Sequence, residues 1–235
     1  MSLTEIDMDN WDTSNWEVTT LANMCYYCTS LRKVKIGKWD TNNWEVTTIG
    51  YIFFNCCALE EIDLSEWDTS NWKLTNLSSW FSGCSSLQEL DLSDWDTTGW
   101  KPTSMSSTFS SMEGLKKLDI SGWDTSGWTT LTSLSSPFSS NYVREIYFPA
   151  DFLCNSNYNN SFSFNSNPFL KITNGYPYKY SHTYSSYLLT HDSLVATFNR
   201  LPTVTNQTIT ISYHNMCKVS AAEIAIATAK GWTVA

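Results

Sequence analysis

Residues 59–71 read Leu-Glu-Glu-Ile-Asp-Leu-Ser-Glu-Trp-Asp-Thr-Ser-Asn, and the chain returns to this wording every 28 residues. Trp-Asp-Thr begins at Trp11, Trp39, Trp67, Trp95 and Trp123, and a second tryptophan follows five residues later, at Trp16, Trp44, Trp72, Trp100 and Trp128. Ten of the 12 tryptophans thus fall in two periodic columns, so the repeat decides the fold before any local propensity is weighed. Ahead of each first-column Trp stands a spaced apolar triplet: Leu59, Ile62 and Leu64 here, then Leu87, Leu90 and Leu92, then Leu115, Leu118 and Ile120. Related triplets open at Leu3, Leu31 and Val143. The alternation that closes each triplet marks a short strand with one buried face.

One such unit cannot bury its own apolar side. Six of them, stacked with strands about 4.8 Å apart, give a continuous core and one parallel sheet. Residues 87–114 show the expected path. Leu87–Leu92 is the strand. Asp96-Thr97-Thr98-Gly99 makes a turn, since Asp and Thr side chains bond nearby backbone and Gly tolerates positive φ. Thr103–Phe109 reads as a short helical turn, N-capped by Thr103 or Ser104, with Met105 and Phe109 on one face.

The pattern of residues 59–71, with Phe81-Ser-Gly-Cys-Ser-Ser-Leu87 after it, resembles the BspA-like leucine-rich repeat, from residue 3 to about 148. A 28-residue period lies in the leucine-rich-repeat range of about 20–29. The resemblance implies an α/β fold: a right-handed solenoid with one parallel β-sheet and short helical turns on the convex side. It also implies a surface or secreted bacterial protein for adhesion or recognition, with no catalytic residues to carry over. The family unit is about two residues shorter. Trp16-Glu17, Trp44-Glu45 and Trp72-Lys73 therefore read as insertions, and the second Trp column as an addition peculiar to this chain.

Composition narrows the function. Fourteen basic against 23 acidic residues give a net charge of −9. That disfavours nucleic acid and anionic lipid, which need basic contacts. No run approaches the roughly 18 apolar residues of a membrane span. Met1-Ser2-Leu3 runs straight into repeat sequence, so export implies a signal removed or lying upstream. The expected setting is the cell surface or outside the cell, with a phage or prophage tail as the alternative. A weaker likeness of the last residues to tail-associated repeat proteins supports that alternative.

Three regions are expected: repeats over 1–148, an irregular Asn/Ser/Tyr-rich continuation over 149–188, and a closing cap over 189–235. Phe152, Phe162, Phe164 and Phe169 are candidate anchors of the continuation. In the cap, Asp192 is placed to start a helix that Pro202 ends. Thr208–Ser212 alternates like a strand, and Ser220 with Glu223 forms a capping box for a helix that Gly231 stops. At the other end, Leu3–Met8 has no strand before it, so a neighbouring domain or subunit is the expected cover for that edge.

Chemistry is sparse. Cys28, Cys56 and Cys84 recur at the repeat period, with Met112 next, and read as core thiols rather than as zinc or redox ligands. Asp12, Asp40, Asp68, Asp96 and Asp124 read as caps of their own turns rather than as calcium ligands. His182, His191 and His214 sit in no nucleophile or metal motif. The expectation is a non-enzyme with no catalytic, cofactor or metal residues, whose partner is a protein or glycan. The candidate site is the second tryptophan column, Trp16, Trp44, Trp72, Trp100 and Trp128. Either those rings stack inward as extra core, or they bulge outward as an aromatic strip that takes a ligand.

Overall fold

The computed structural model describes residues 2–139, 143–149, 152, 171–173, 182–184, 189–211 and 213–235. Phe162, Phe164, Phe169 and Cys154 lie outside them, as do the side chains of His182 and His214. The chain is a parallel β-solenoid of about seven turns. Each turn contributes a three-residue strand: β1 (Glu5–Asp7), β2 (Lys33–Lys35), β3 (Glu61–Asp63), β4 (Glu89–Asp91), β5 (Lys117–Asp119), β6 (Glu145–Tyr147) and β7 (Lys171–Thr173). The register follows the period, with Ile6 opposite Val34, Val34 opposite Ile62 and Leu90 opposite Leu118. The central residues Val34, Leu90, Leu118 and Ile146 of β2, β4, β5 and β6 are buried in the core, and Ile6 and Ile62 of β1 and β3 pack against it partly buried.

The strands form two sheets rather than one, β1-β2-β3 and β4-β5-β6-β7. The break falls where four carboxylates meet. The repeat sets Glu61 against Glu89 and Asp63 against Asp91, and like charges directly opposite are destabilising. Every other junction in this series brings at least one lysine to the exposed strand positions: Lys33 and Lys35, Lys117, or Lys171.

The two coils remain joined on the far side. There Leu77, Ser79, Phe81 and Gly83 donate backbone N–H groups to the carbonyls of Ser104, Ser106, Thr108 and Ser110, at 2.9–3.0 Å. This second ladder explains why the expected helical turn at Thr103–Phe109 does not form. Met105, Ser107 and Phe109 donate to Ser133, Ser135 and Pro137 in the following coil instead of to carbonyls four residues back. Ser107 and Ser111 also adopt φ of 56° and 54°, which no α-helix accommodates. The coil thus has two long faces, a strand face and a turn face, each stitched to its neighbours through the backbone. Bridges from Thr20 to Thr48, Asn76, Ser104 and Ser133 run the length of the turn face.

Past the repeats, β8 (His182–Tyr184), β9 (Gln207–Ile211) and β10 (Trp232–Val234) form a separate parallel sheet in the order β10-β9-β8. Around it lie α1 (His191–Arg200), α2 (Tyr213–Met216) and α3 (Ala221–Thr228). Thr190, not Asp192, caps α1 by accepting from the Ser193 N–H. Asp192 sits in the first turn, where its charge favours the helix dipole. The reciprocal Ser220–Glu223 capping box is present on α3. Gly231 has φ +84°, and a Cβ there would lie 1.9 Å from the Val204 carbonyl oxygen, so no other residue fits. Leu194, Phe198 and Leu201 are buried, and an Arg200 guanidinium nitrogen donates to the Phe152 carbonyl at 3.0 Å, tying α1 to the last coils.

Candidate binding surfaces

The Trp-Asp-Thr triplet divides its labour along the solenoid axis. Trp67 Nε1 donates to the Ile36 carbonyl of the coil behind at 2.8 Å, and Trp39, Trp95 and Trp123 repeat the bond to Met8, Leu64 and Leu92. Asp68 stays within its own turn, accepting from the Ser70 N–H at 2.9 Å, and the other four aspartates do likewise. Hydrogen bonds from the Ser14 and Ser126 hydroxyls, and then from those residues' N–H groups, hold the Asp12 and Asp124 carboxyls below their ordinary range. Thr69 Oγ1 reaches forward to the Asp96 carbonyl at 3.0 Å, as Thr13, Thr41 and Thr97 do in their coils. The forward reach of the threonines has a sequence signal, a buried hydroxyl in every unit, that strand and turn patterns alone do not expose.

The second tryptophan column points inward. Trp44, Trp72, Trp100 and Trp128 are at most 1% exposed, so four of the five candidate residues present no face to a ligand. Their indole N–H groups have no hydrogen-bond partner, a cost of about 1–3 kcal/mol each. Burying roughly 150–250 Å² per ring at about 25 cal/mol per Å² outweighs it. Across rungs the rings lie near-parallel, Trp100 over Trp128 at 6.3 Å and Trp16 over Trp44 at 6.4 Å. Within and between coils they also tilt against the first column, Trp72 contacting Trp67 at 5.6 Å and Trp95 at 5.5 Å.

Trp16 alone in that column is accessible, at 36%, because coil 1 has no described coil before it. A cleft of about 490 Å³ opens beside it, lined by Ser14–Thr19 with Asn43 and Glu45. Trp11 and Leu3 are exposed at the same end.

The cysteine column behaves as core. Cys56 and Cys84 are fully buried and their thiols donate to the Cys25 and Phe53 carbonyls, while Cys28 at the open end is half-buried. Cys25, Cys28, Cys56 and Cys84 are all free thiols. Burial pushes the Cys25 and Cys56 thiols up to about 12 and Cys84 well above its ordinary value, away from a reactive thiolate. Among the described residues no cluster of three or more potential ligands could hold a metal ion.

One accessible aromatic group lies elsewhere. Tyr26, Tyr27 and Tyr51 are exposed on the turn face of coils 1 and 2, with half-buried Phe54 among them. Tyr26 stacks on Phe54 at 5.4 Å and 14°, and meets Tyr27 edge-on at 4.7 Å. Tyr51 closes the group edge-on to Phe54 at 5.5 Å. Sequence reading passed over these residues because the tryptophan columns dominate the repeat. The available signal was a substitution in column: rings stand at 26 and 54, at 27 and at 51, where the same columns hold Ser82 and Ser110, then Asn55, Gly83 and Ser111, then Ser79 and Ser107.

Fold and surface together define a parallel β-solenoid repeat protein. The family model described as "Mycoplasma protein of unknown function, DUF285" matches residues 1–99 and 61–141, and the chain belongs to that family. No curated protein matches it.

Proposed function

We propose that this chain is a non-catalytic recognition module, a BspA-like leucine-rich-repeat coil wound right-handed, that works at a cell surface or outside the cell and binds a protein or glycan. Right-handedness rests on the near-universal hand of parallel strand–crossover–strand connections. The observation that carries the binding reading is the chemistry of the turn face. Segments 18–31, 46–59, 74–87, 102–112 and 128–139 contain no charged residue, in a chain of net charge −9. A long, backbone-stitched face of hydroxyls, amides and exposed rings suits recognition, and an exposed aromatic patch usually marks an interaction site. The titration shifts point the same way. Buried thiols are pushed up and exposed carboxylates down, opposite to the directions that prepare a nucleophile or a general acid.

The edge of coil 1 is proposed to be covered by a neighbouring domain or subunit. Its Glu5 and Asp7 suit a strand carrying lysines, as β2 does on the other side.

The test is an array of neutral and charged glycans together with host extracellular proteins, probed with the purified chain. Saturable capture with no chemical change in the captured partner supports the reading. Turnover of a captured glycan, or no saturable capture of any probe, contradicts it.

A further inference from the structure

We infer that the ledge formed by Tyr26, Tyr27, Tyr51 and Phe54 is a binding site for a neutral glycan, a chain of uncharged pyranose units. The inference rests on the recognition reading above and gives it a place and a ligand class.

The backbone argument comes first. Tyr27 and Tyr51 have φ of 59° and 60°, the left-handed region. The repeat demands that conformation at both columns. It is met by Asn55, Gly83 and Ser111 in one, and by Asn23, Ser79 and Ser107 in the other. Small residues enter this region far more readily than a bulky aromatic does. Core packing does not compensate for the tyrosines, because Tyr27 is 53% exposed and Tyr51 39%. Strained residues that stay solvent-facing fit a role outside stability.

The rings are also preorganised. Tyr26 touches Tyr27, Tyr51 and Phe54, at 4.7, 6.2 and 5.4 Å between centroids, so each ring is held by others and little freedom remains to lose on binding. Below the ledge the surface steps down. Column by column, Phe54 is followed by Ser82 and Ser110, which are buried and bonded to each other at 2.9 Å, and Tyr51 by the half-buried Ser79 and Ser107. The step sets an aromatic wall beside a lower terrace whose accessible hydroxyls are those of Ser79 and Ser107.

Charge selects the ligand. The coil segments that form this face, 18–31, 46–59 and 74–87, hold neither a cation for an anionic ligand nor a carboxylate for a cationic one. A charged partner gains nothing here, and the chain's net −9 repels anions at longer range. A neutral pyranose matches both parts of the step. Its C–H face is apolar and flat enough to lie on a tyrosine, and its hydroxyls exchange hydrogen bonds with serine, asparagine and tyrosine side chains. Apolar rings with a few placed polar groups are the usual make-up of small-ligand sites.

The test is capture of the whole chain on immobilised neutral polysaccharides (a β-glucan, a mannan, a galactan and a xylan), with heparin as the anionic control. The wild-type chain should bind at least one neutral polysaccharide, with an affinity insensitive to salt, and should not bind heparin. The double variant Tyr27→Gly/Tyr51→Ser, which copies Gly83 and Ser79 of coil 3, should fold, melt no lower than wild type and bind about tenfold more weakly or worse. Should it fail to fold, Tyr27→Gly alone, which relieves strain at one position, should show the same direction of change. The variant Lys33→Glu/Lys35→Glu on the strand face should retain full capture. Undiminished capture by a folded ledge variant overturns the assignment. Failure of every neutral polysaccharide while a protein on the array is bound overturns the glycan inference and leaves the recognition module standing. Failure of all probes removes both.

Discussion

On the strand face, Lys33 and Lys35 of β2 stand between Glu5 and Asp7 on one side and Glu61 and Asp63 on the other, and ion pairs link them. On the turn face of the same coils, residues 18–31 and 46–59 carry no charge. The contrast separates two ways of stacking coils. The strand face depends on which side chains meet, and its ladder lapses between β3 and β4 where only carboxylates do. The turn face depends on backbone bonds that every residue type but proline can donate, such as Asn55 N–H to the Ser82 carbonyl and Tyr27 N–H to the Phe54 carbonyl, both 2.8 Å. Because the backbone does the joining there, outward side chains on the turn face can vary, at a strain cost where the repeat holds φ positive. Tyrosines replace serines in coils 1 and 2 without breaking the stack.

The comparison is most severely tested between the two ends of one tryptophan column. Trp72→Ala empties a fully buried site and should lower stability by about 3–5 kcal/mol. Trp16→Ala, at the accessible end, should cost less than half as much, measured by urea denaturation of both variants. Equal losses would mean that the open end is as tightly packed as the middle.

A smaller effect is expected at the lapse in the strand ladder. Asp91→Asn removes a charge that faces Asp63 on one side and Asp119 on the other while keeping an acceptor for the Ser93 N–H, and should raise the melting temperature by about one or two degrees. The same substitution should leave glycan capture untouched. A drop in melting temperature would show that the carboxylates at this junction are not what opens it.

The smallest effect belongs to the C-terminal unit, where His191 contacts Asp192 at 3.0 Å and Glu223 at 2.9 Å. Both partners raise the His191 pKa, and hydrogen bonds from Ser220, with a smaller part from His191, lower that of Glu223. A raised histidine contributes stability that is whole below its unfolded value of about 6.5 and lost as pH rises through the folded value. A depressed glutamate contributes stability present above about 4.3 and lost as pH falls through its folded value. The link should therefore be strongest between these limits. His191→Gln should lower the melting temperature between these limits and remove the fall that follows as pH rises past about 6.5, whereas an unchanged profile would show that the contact is open in solution.

Much of the fold could be read because the repeat states it in side chains. Leu59, Ile62 and Leu64 announce a strand, Asp68 a turn, and Ser220 with Glu223 a helix start. The two-sheet arrangement was also written, in Glu61 and Glu89, but seeing it requires comparing units pairwise rather than reading one. The Thr103–Phe109 segment misled because its local pattern suits a helix while its N–H groups are taken by the next coil. Local propensity carries no record of a partner 28 residues away. The binding surface was hidden for a related reason. Tryptophan is the conspicuous aromatic, yet Trp44, Trp72, Trp100 and Trp128 serve the interior. The accessible rings at Tyr26, Tyr27 and Tyr51 stand out only as departures from the serine columns that follow them.

Hydrogen–deuterium exchange of the whole chain, with and without a saturating neutral polysaccharide from the capture panel, tests most directly which face does the recognising. Bound ligand should slow exchange in peptides covering residues 21–29 and 49–57 and leave those covering 32–36 and 60–64 unchanged. Protection confined to the strand-face peptides would contradict the account.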